Sequence, residues 1–226
     1  MEERKIIQFK EKKSIKVITK HIKNKKNIKI IKELLKTYAD EISKKPVKLT
    51  EKGSLKYLLK GPEPSDQSIS IQFGHVGEKI IIKMIELNPK LELLKCGIQI
   101  INGQGEKKDI DLIWRDIEKK KIFYREAKGN IELDTEKLPA MVSKIKHNIT
   151  NFIKEKYPDH SLDIGVVAWS IYDRKGLKKG KSHIKKCEEN GVKVDHFEDI
   201  LILTDMIWDE MSFYSYMREI GKILFN

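Results

Sequence analysis

Two pairs of residues able to bind a metal ion and to activate water lie close together in the sequence: Asp109 with Asp111, and Glu126 with Lys128. One residue separates the members of each pair, so in a β-strand both side chains of a pair share one face. Apolar residues alternate with them, and a charged segment that predicts a turn lies between the two stretches. If that turn is tight and centred between residues 118 and 119, Asp111 faces Glu126 and Asp109 faces Lys128.

Acidic side chains that face each other across such a hairpin require a compensating positive charge, because like charges directly opposite destabilise a sheet. Mg²⁺ can supply that charge, since it prefers oxygen ligands from one or two carboxylates, completed by water and substrate phosphate. The bound ion lowers the pKa of its water and stabilises charge on a phosphate under attack, and Lys128 would orient the water. The alternative is a solvent-facing hairpin in which polar residues simply alternate. Apolar residues beside both pairs and the helical pattern after Lys128 favour the metal site.

The stretch resembles the core of the PD-(D/E)xK nuclease superfamily, with Asp111 as the motif aspartate and Glu126–Lys128 (Glu-Ala-Lys) as the E-x-K. The family's proline precedes neither Asp109 nor Asp111, so either aspartate can fill the role. The hairpin register favours Asp111. The resemblance implies a Mg²⁺-dependent nuclease in which Asp111, Glu126 and Lys128 are catalytic.

The resemblance covers roughly residues 70–200 and implies an α/β fold with a restriction-endonuclease-like core: a helix, a three-strand meander, a second helix and a further strand. In that family a glutamate of the first helix often reaches the metal, so Glu78 joins Asp109, Asp111 and Glu126 as a candidate ligand. Hydrophobic periodicity and turn residues predict the elements in chain order. They are a helix over 72–88, a first strand over 98–101, the hairpin, a helix over 134–157 capped by Asp134, strands over 164–169 and 192–194, and helical residues over 199–225.

Before this core lies a basic, mainly helical N-terminal region over residues 1–65, a possible DNA-binding subdomain, and the nuclease core occupies 66–226. Apolar residues at helical spacing predict a helix over 27–42, and a segment rich in Gly and Pro over 61–65 marks the boundary. The lysines around that helix either face DNA or keep an amphipathic helix solvated. The lysines expected to contact DNA phosphates lie on this helix, on the second core helix and in a loop rich in Lys and Gly. They are Lys26, Lys29, Lys144, Lys178, Lys179 and Lys181.

The chain of 226 residues has 46 Lys and Arg against 34 Asp and Glu, which gives a net charge of +12. This positive excess indicates a polyanionic partner, with nucleic acid first and an anionic membrane second. A lysine-rich protein from an A·T-rich genome would have a similar composition. The sequence has neither a membrane-spanning apolar run nor the apolar segment of a signal peptide, so we expect a cytoplasmic protein without a membrane partner. In the cytoplasm Cys96 and Cys187 would be reduced thiols.

These features together predict a type II restriction endonuclease that hydrolyses double-stranded DNA at a short, palindromic site with Mg²⁺ as its cofactor. A homodimer would match the twofold symmetry of such a site, and the apolar side chains over 208–217 are a possible interface. A cognate DNA methyltransferase would protect the host genome. Two alternatives stay open: a structure-specific repair or resolvase nuclease, and a non-catalytic DNA-binding protein. The intact set of acidic residues with Lys128 favours an enzyme over a binding protein.

Overall fold

The computed structural model describes residues 2–45, 48–62, 65–101, 106–129, 131, 137–175, 177 and 182–225. The helices are α1 (Glu2–Ser43), α2 (Leu55–Lys60), α3 (Asp66–Glu86), α4 (Leu138–Ser143), α5 (Thr150–Lys156), α6 (Ser182–Glu189), α7 (Phe197–Leu203) and α8 (Glu210–Phe225). A π-helical segment, Lys144–Ile149, joins α4 to α5. The strands are β1 (Leu91–Leu93), β2 (Gly97–Ile101), β3 (Glu106–Ile110), β4 (Leu112–Asp116), β5 (Lys121–Lys128), β6 (Ser161–Ala168) and β7 (Lys193–His196).

The centre of the fold is a mixed five-stranded sheet with the strand order β1-β4-β5-β6-β7. Strands β1, β4 and β5 pair antiparallel, and β6 and β7 run parallel to β5. The strand predicted over 164–169 is confirmed for residues 164–168, which lie in β6, and the second half of β6 is buried on both sides. Its nearly continuous apolar run follows from that burial, because helices cover both faces of a parallel strand. The fold therefore belongs to the α/β class.

The predicted hairpin register is confirmed over the length of β4. Leu112 lies opposite Arg125, Trp114 opposite Phe123, and so on to the turn. The alternating pattern fixes this register, because a slip by one residue would move every buried side chain to the other face.

The sequence had predicted that the hairpin continues to Asp109, but in the structure its pairing begins at Leu112. Asp111 interrupts the strand, and an oxygen of its carboxylate accepts a hydrogen bond from the Ala127 N–H at 2.9 Å. The side chain thus takes a β5 donor that a continuing partner strand would use, and the chain leaves the sheet. The preceding residues form β3, which pairs with β2 in a separate two-stranded ribbon, so Asp109 lies opposite Ile98 and not opposite Lys128. The first strand of the meander is accordingly β1, whereas the predicted strand over 98–101 belongs to the ribbon.

Each face of the sheet carries its own hydrophobic core. One core is formed by α1, α3, α7 and α8 against side chains such as Leu112 and Phe123. The other lies beneath α4, the π-helical segment, α5 and α6, and includes Tyr124 and Val166. The ribbon joins this second core through Ile101 and Ile110. Only Asp111 separates β3 from β4, so the end of the ribbon lies beside the start of β4.

The helix predicted over 27–42 lies within the longer α1, which packs against α3 and α8. Ile31, Leu35, Ala39 and Ile42 are buried in the same core as α3, so this half of α1 is joined to the sheet domain. The subdomain boundary near residue 65 stays a prediction. None of the helices in the described ranges has an apolar stretch long enough to cross a membrane.

The C-terminal helical region predicted over 199–225 is divided into α7 and α8. Thr204 is the residue that follows the last turn of α7, and its hydroxyl donates a hydrogen bond to the Ile200 carbonyl. Asp205 then adopts a left-handed φ of 58°. Trp208 and Phe213 are buried in the chain's own core, where their rings meet edge to face. These two residues therefore do not form the predicted dimer interface.

Candidate active site

The best-defined cluster of titratable groups lies where β5 ends and β4 begins. Asp111 and Glu126 reach it from the two strands, and the Asp111 carboxylate is held by the Ala127 N–H. Because β5 and β6 run parallel, their carboxyl ends meet at this edge of the sheet, where α/β proteins commonly bind ligands. The sequence prediction that Asp111 and Glu126 come together is supported by the charge interaction between them.

The Glu126 carboxylate is buried and has three polar neighbours. One of its oxygens accepts a hydrogen bond from the Tyr124 hydroxyl at 2.7 Å and contacts the Lys144 Nζ at 2.7 Å. The other lies 3.8 Å from the Lys128 Nζ. Two ammonium groups thus flank one carboxylate, and Lys128 is the lysine that the sequence placed there.

The environment of Asp111 opposes its ionisation. Burial, followed by the negative charge of Glu126, raises the pKa of Asp111 from 3.8 to about 7, against the lowering effects of the Ala127 N–H and of Lys144. Burial and the charge of Glu126 also raise the pKa of Tyr124 well above its usual value, so its hydroxyl remains a proton donor to Glu126. The cluster therefore holds more negative charge than its surroundings stabilise, which favours a bound cation.

Glu78 lies within electrostatic reach of the same cluster. Burial raises the pKa of Glu78, the charges of Asp109 and Glu126 add to that rise, and His75 opposes it from 3.6 Å. The preceding residue, Gly77, allows α3 to approach the sheet closely, because a Cβ there would lie 2.1 Å from the Trp169 ring. The structure thus places Glu78 where it feels the charges of Asp109 and Glu126, and its role as a metal ligand stays a prediction.

Asp109 sits on the exposed surface of β3 and contributes its charge to this region from outside. Asp111 is more enclosed and directly fixed to β5, which makes it the stronger of the two candidate ligands. The choice between them follows from the break in the strand between β3 and β4.

Lys144 and Tyr124 are the site residues whose contacts the sequence analysis missed. Lys144 had been predicted to contact DNA phosphate. Its Nζ contacts the Glu126 carboxylate in the structure, and the residue begins the π-helical segment. Thr150, the first residue of α5, donates its hydroxyl to the carbonyl of Ile145 within that segment at 2.7 Å. Single π-helical turns of this kind are frequent at functional sites. The signal for Tyr124 was present, because it shares the Glu126 face of β5 at a spacing of two.

The other predicted DNA contacts are less defined. Lys26 and Lys29 are exposed on α1, and the Lys29 Nζ lies 3.8 Å from a carboxylate oxygen of Glu33. Lys178, Lys179 and Lys181 fall outside the described residues, as does the predicted helix cap Asp134.

The donor chemistry of the cluster suits a hard divalent cation. In the part of the chain that the structure describes, no group of three or more His, Cys, Asp or Glu side chains has the arrangement of an assembled metal site. Mg²⁺ needs fewer protein ligands than that, because it retains several waters and uses one or two carboxylates. Asp111 and Glu126 would hold it, with Glu78 and Asp109 as flanking charges.

Comparisons with known proteins assign no family. No family model matches the chain, and neither the curated proteins nor the solved structures give a significant match.

Proposed function

We propose that this protein is a Mg²⁺-dependent endonuclease that hydrolyses phosphodiester bonds of double-stranded DNA. The observation that carries the proposal is the cluster at the end of β5, where Asp111 and Glu126 interact with each other beside two lysines. Phosphodiester hydrolysis requires charge stabilisation at the phosphate and a water that can be deprotonated, and carboxylates with an ammonium group serve both needs.

The order of elements supports a restriction-endonuclease-like core. Helix α3, the meander β1-β4-β5, the α4–α5 helix and β6 follow one another in the order that the PD-(D/E)xK resemblance implies. Asp111 and the Glu-Ala-Lys of β5 lie at the positions expected for the motif within that order.

Each residue of the cluster has a distinct role in the proposed reaction. Mg²⁺, when bound, supplies Lewis acidity and a water of lowered pKa. Asp111 and Glu126 are its protein ligands, and the Ala127 N–H and Tyr124 hydroxyl hold their carboxylates in place. Lys128 is positioned to hydrogen-bond the attacking water and to assist its deprotonation.

The partner that the charge supports is DNA, and the more specific proposal is a type II restriction endonuclease acting as a homodimer. The net charge of +12 favours a polyanion, and a palindromic site would be cut once by each subunit. A cognate methyltransferase would spare the host, since a methyl group in the major groove blocks the hydrogen-bonding groups that specify the site.

Digestion of a large unmethylated phage genome in Mg²⁺, followed by sequencing of the ends, tests this function. One short palindrome at every end supports the restriction enzyme, and prior methylation of that palindrome should then block cleavage. Scattered ends, or cleavage confined to junctions and flaps, would instead support a structure-specific nuclease. Failure of the wild-type protein to cleave any of these substrates would overturn the endonuclease proposal.

A further inference from the structure

The β2–β3 ribbon exposes two large apolar side chains on its outward face. Ile98 and Ile100 are 70% and 59% exposed, while their neighbours Gln99 and Ile101 are buried. On β3 the residues opposite the two isoleucines are Asp109 and Lys107. The inward face of the ribbon is anchored in the core, and the outward isoleucines leave most of their apolar surface uncovered. Adjacent exposed apolar residues of this kind commonly mark an interaction surface.

These isoleucines line an open cleft of about 560 Å³ between the ribbon and α5. The cleft combines apolar and cationic side chains from both walls. Together with the amide of Gln99, the lining residues are Lys95, Ile98, Ile100, Lys107, Phe152 and Lys156. The Nζ of Lys156 lies 5.4 Å from the centre of the Phe152 ring, a cation–π distance that holds it along the wall.

The chemistry of the cleft matches a nucleic acid better than a second copy of the chain. Three lysines beside a narrow apolar strip can pair with phosphates while the strip meets base edges. A second copy of this chain would bring the same lysines towards each other, and like charges oppose that contact. A two-stranded ribbon also fits the width of the major groove, where thymine methyl groups offer apolar contacts.

The ribbon that forms one wall of the cleft adjoins the acidic cluster. Asp109, opposite Ile98, contributes to the charge around Glu78, and β3 passes through Asp111 directly into β4. DNA lying along the ribbon would therefore lead to the carboxylates of the candidate active site.

From this placement we infer that the outward face of the β2–β3 ribbon enters the major groove of duplex DNA beside the phosphate that is cleaved. Ile98 and Ile100 contact base edges, and Lys95, Lys107 and Lys156 pair with the adjoining phosphates. The inference rests on the proposed endonuclease function and assigns it a DNA-reading element.

The apolar contacts are tested with the double variant Ile98→Thr/Ile100→Thr, since threonine keeps the β-branch and both positions are exposed. Ile117→Thr is the matched control, because Ile117 is also exposed and follows β4 at the end distant from Asp111. Binding is measured on a labelled fragment of plasmid DNA in Ca²⁺, together with dimethyl sulfate modification of guanine N7 in the major groove and adenine N3 in the minor groove. We expect the double variant to bind about tenfold more weakly and to lose protection at guanine N7, and the control to match the wild type.

The phosphate contacts are tested through the salt dependence of the same binding. Lys107→Gln and Lys156→Gln should each reduce the slope of log affinity against log salt by about 0.9. Lys222→Gln, on α8 at the opposite core, should leave the slope unchanged.

The outcomes separate this inference from the proposed function. If the wild type cleaves DNA and the ribbon variants bind and protect as it does, the ribbon assignment is wrong while the endonuclease stands. Protection by the wild type only at adenine N3 would also overturn the ribbon assignment. So would ribbon variants that change from dimer to monomer in sedimentation while their DNA binding is unaltered. If the wild type binds and shows ribbon-dependent protection at guanine N7 but never cleaves, the ribbon assignment holds and the endonuclease proposal fails.

Discussion

Replacing Asp111 with asparagine should stabilise the metal-free protein at neutral and alkaline pH. The folded-state pKa of Asp111 is raised from 3.8 to about 7, so ionising this carboxyl costs more in the folded than in the unfolded chain. A difference of about three pKa units corresponds to about 4 kcal/mol, at 1.36 kcal/mol for each unit, which is an upper limit because part of the rise comes from the neighbouring charge of Glu126. Asparagine is similar in shape and keeps an oxygen that can accept the Ala127 N–H, but it carries no charge.

The sign of the effect depends on pH. Below the unfolded pKa, Asp111 is protonated in both states and imposes no penalty. Between the two pKa values the folded state binds more protons than the unfolded state, so the free energy of unfolding decreases as the pH rises. Above about pH 7 the penalty is complete, and its removal in Asp111→Asn should yield a gain of about 2–4 kcal/mol.

Urea denaturation in the presence of a chelator, at about pH 4 and about pH 8, measures this gain as a change in the midpoint at constant slope. The matched control is Asp116→Asn, at the end of β4 distant from Asp111. Although burial raises the pKa of Asp116, hydrogen bonds from the Lys119 side chain and backbone lower it overall, so this variant should lose stability at the higher pH. A gain for Asp111→Asn that is equal at both pH values, or a loss at the higher pH, would refute the electrostatic reasoning.

Three further substitutions test the chemistry and the core. Lys128→Ala should reduce Mg²⁺-dependent cleavage by about 10²–10⁴-fold, the range for a lost general acid–base group, with the circular dichroism spectrum unchanged. Asp109→Asn should lose less cleavage activity than Lys128→Ala, because Asp109 lies on the exposed ribbon. Equal losses of activity in the two variants would contradict the assigned roles. Arg125→Met should cost about 3–5 kcal/mol of stability in urea denaturation, since it removes the guanidinium between Asp163 and the buried Asp195, which then keep only their surface partners Lys121 and Lys193. The fully buried Arg125 guanidinium contacts Asp163 and Asp195 at 2.7 Å each, and a loss of less than about 1 kcal/mol would show that this network adds little.

The register of the β4–β5 hairpin could be predicted because local information determines it. A charged turn and side chains of period two allow few pairings, and the pairing of Leu112 with Arg125 followed directly. The strand over residues 164–169 was predictable because a short, nearly continuous apolar run between polar residues is typical of a strand buried on both faces.

The contacts that shape the site could not be predicted, because each depends on residues far apart in sequence. The break before β4 depends on a hydrogen bond from Ala127 to a side chain 16 residues earlier. Lys144 reaches Glu126 only because the helix and β5 pack together, and nothing in the sequence marks the π-helical turn that carries it. The burial of Trp208 and Phe213 was ambiguous in the sequence, since an apolar stripe serves a core and an interface equally well.

The most direct test of the proposed endonuclease is cleavage of supercoiled plasmid by the wild type and by Glu126→Gln, with Mg²⁺, with Ca²⁺ and with a chelator. Glu118→Gln serves as the control, because Glu118 is exposed in the β4–β5 turn and pairs with Lys90. We predict that the wild type and the control cut the plasmid only with Mg²⁺. Glu126→Gln should bind the plasmid in Ca²⁺ as the wild type does and leave it uncut under every condition. Cleavage by Glu126→Gln at the wild-type rate would contradict the assignment of the active site.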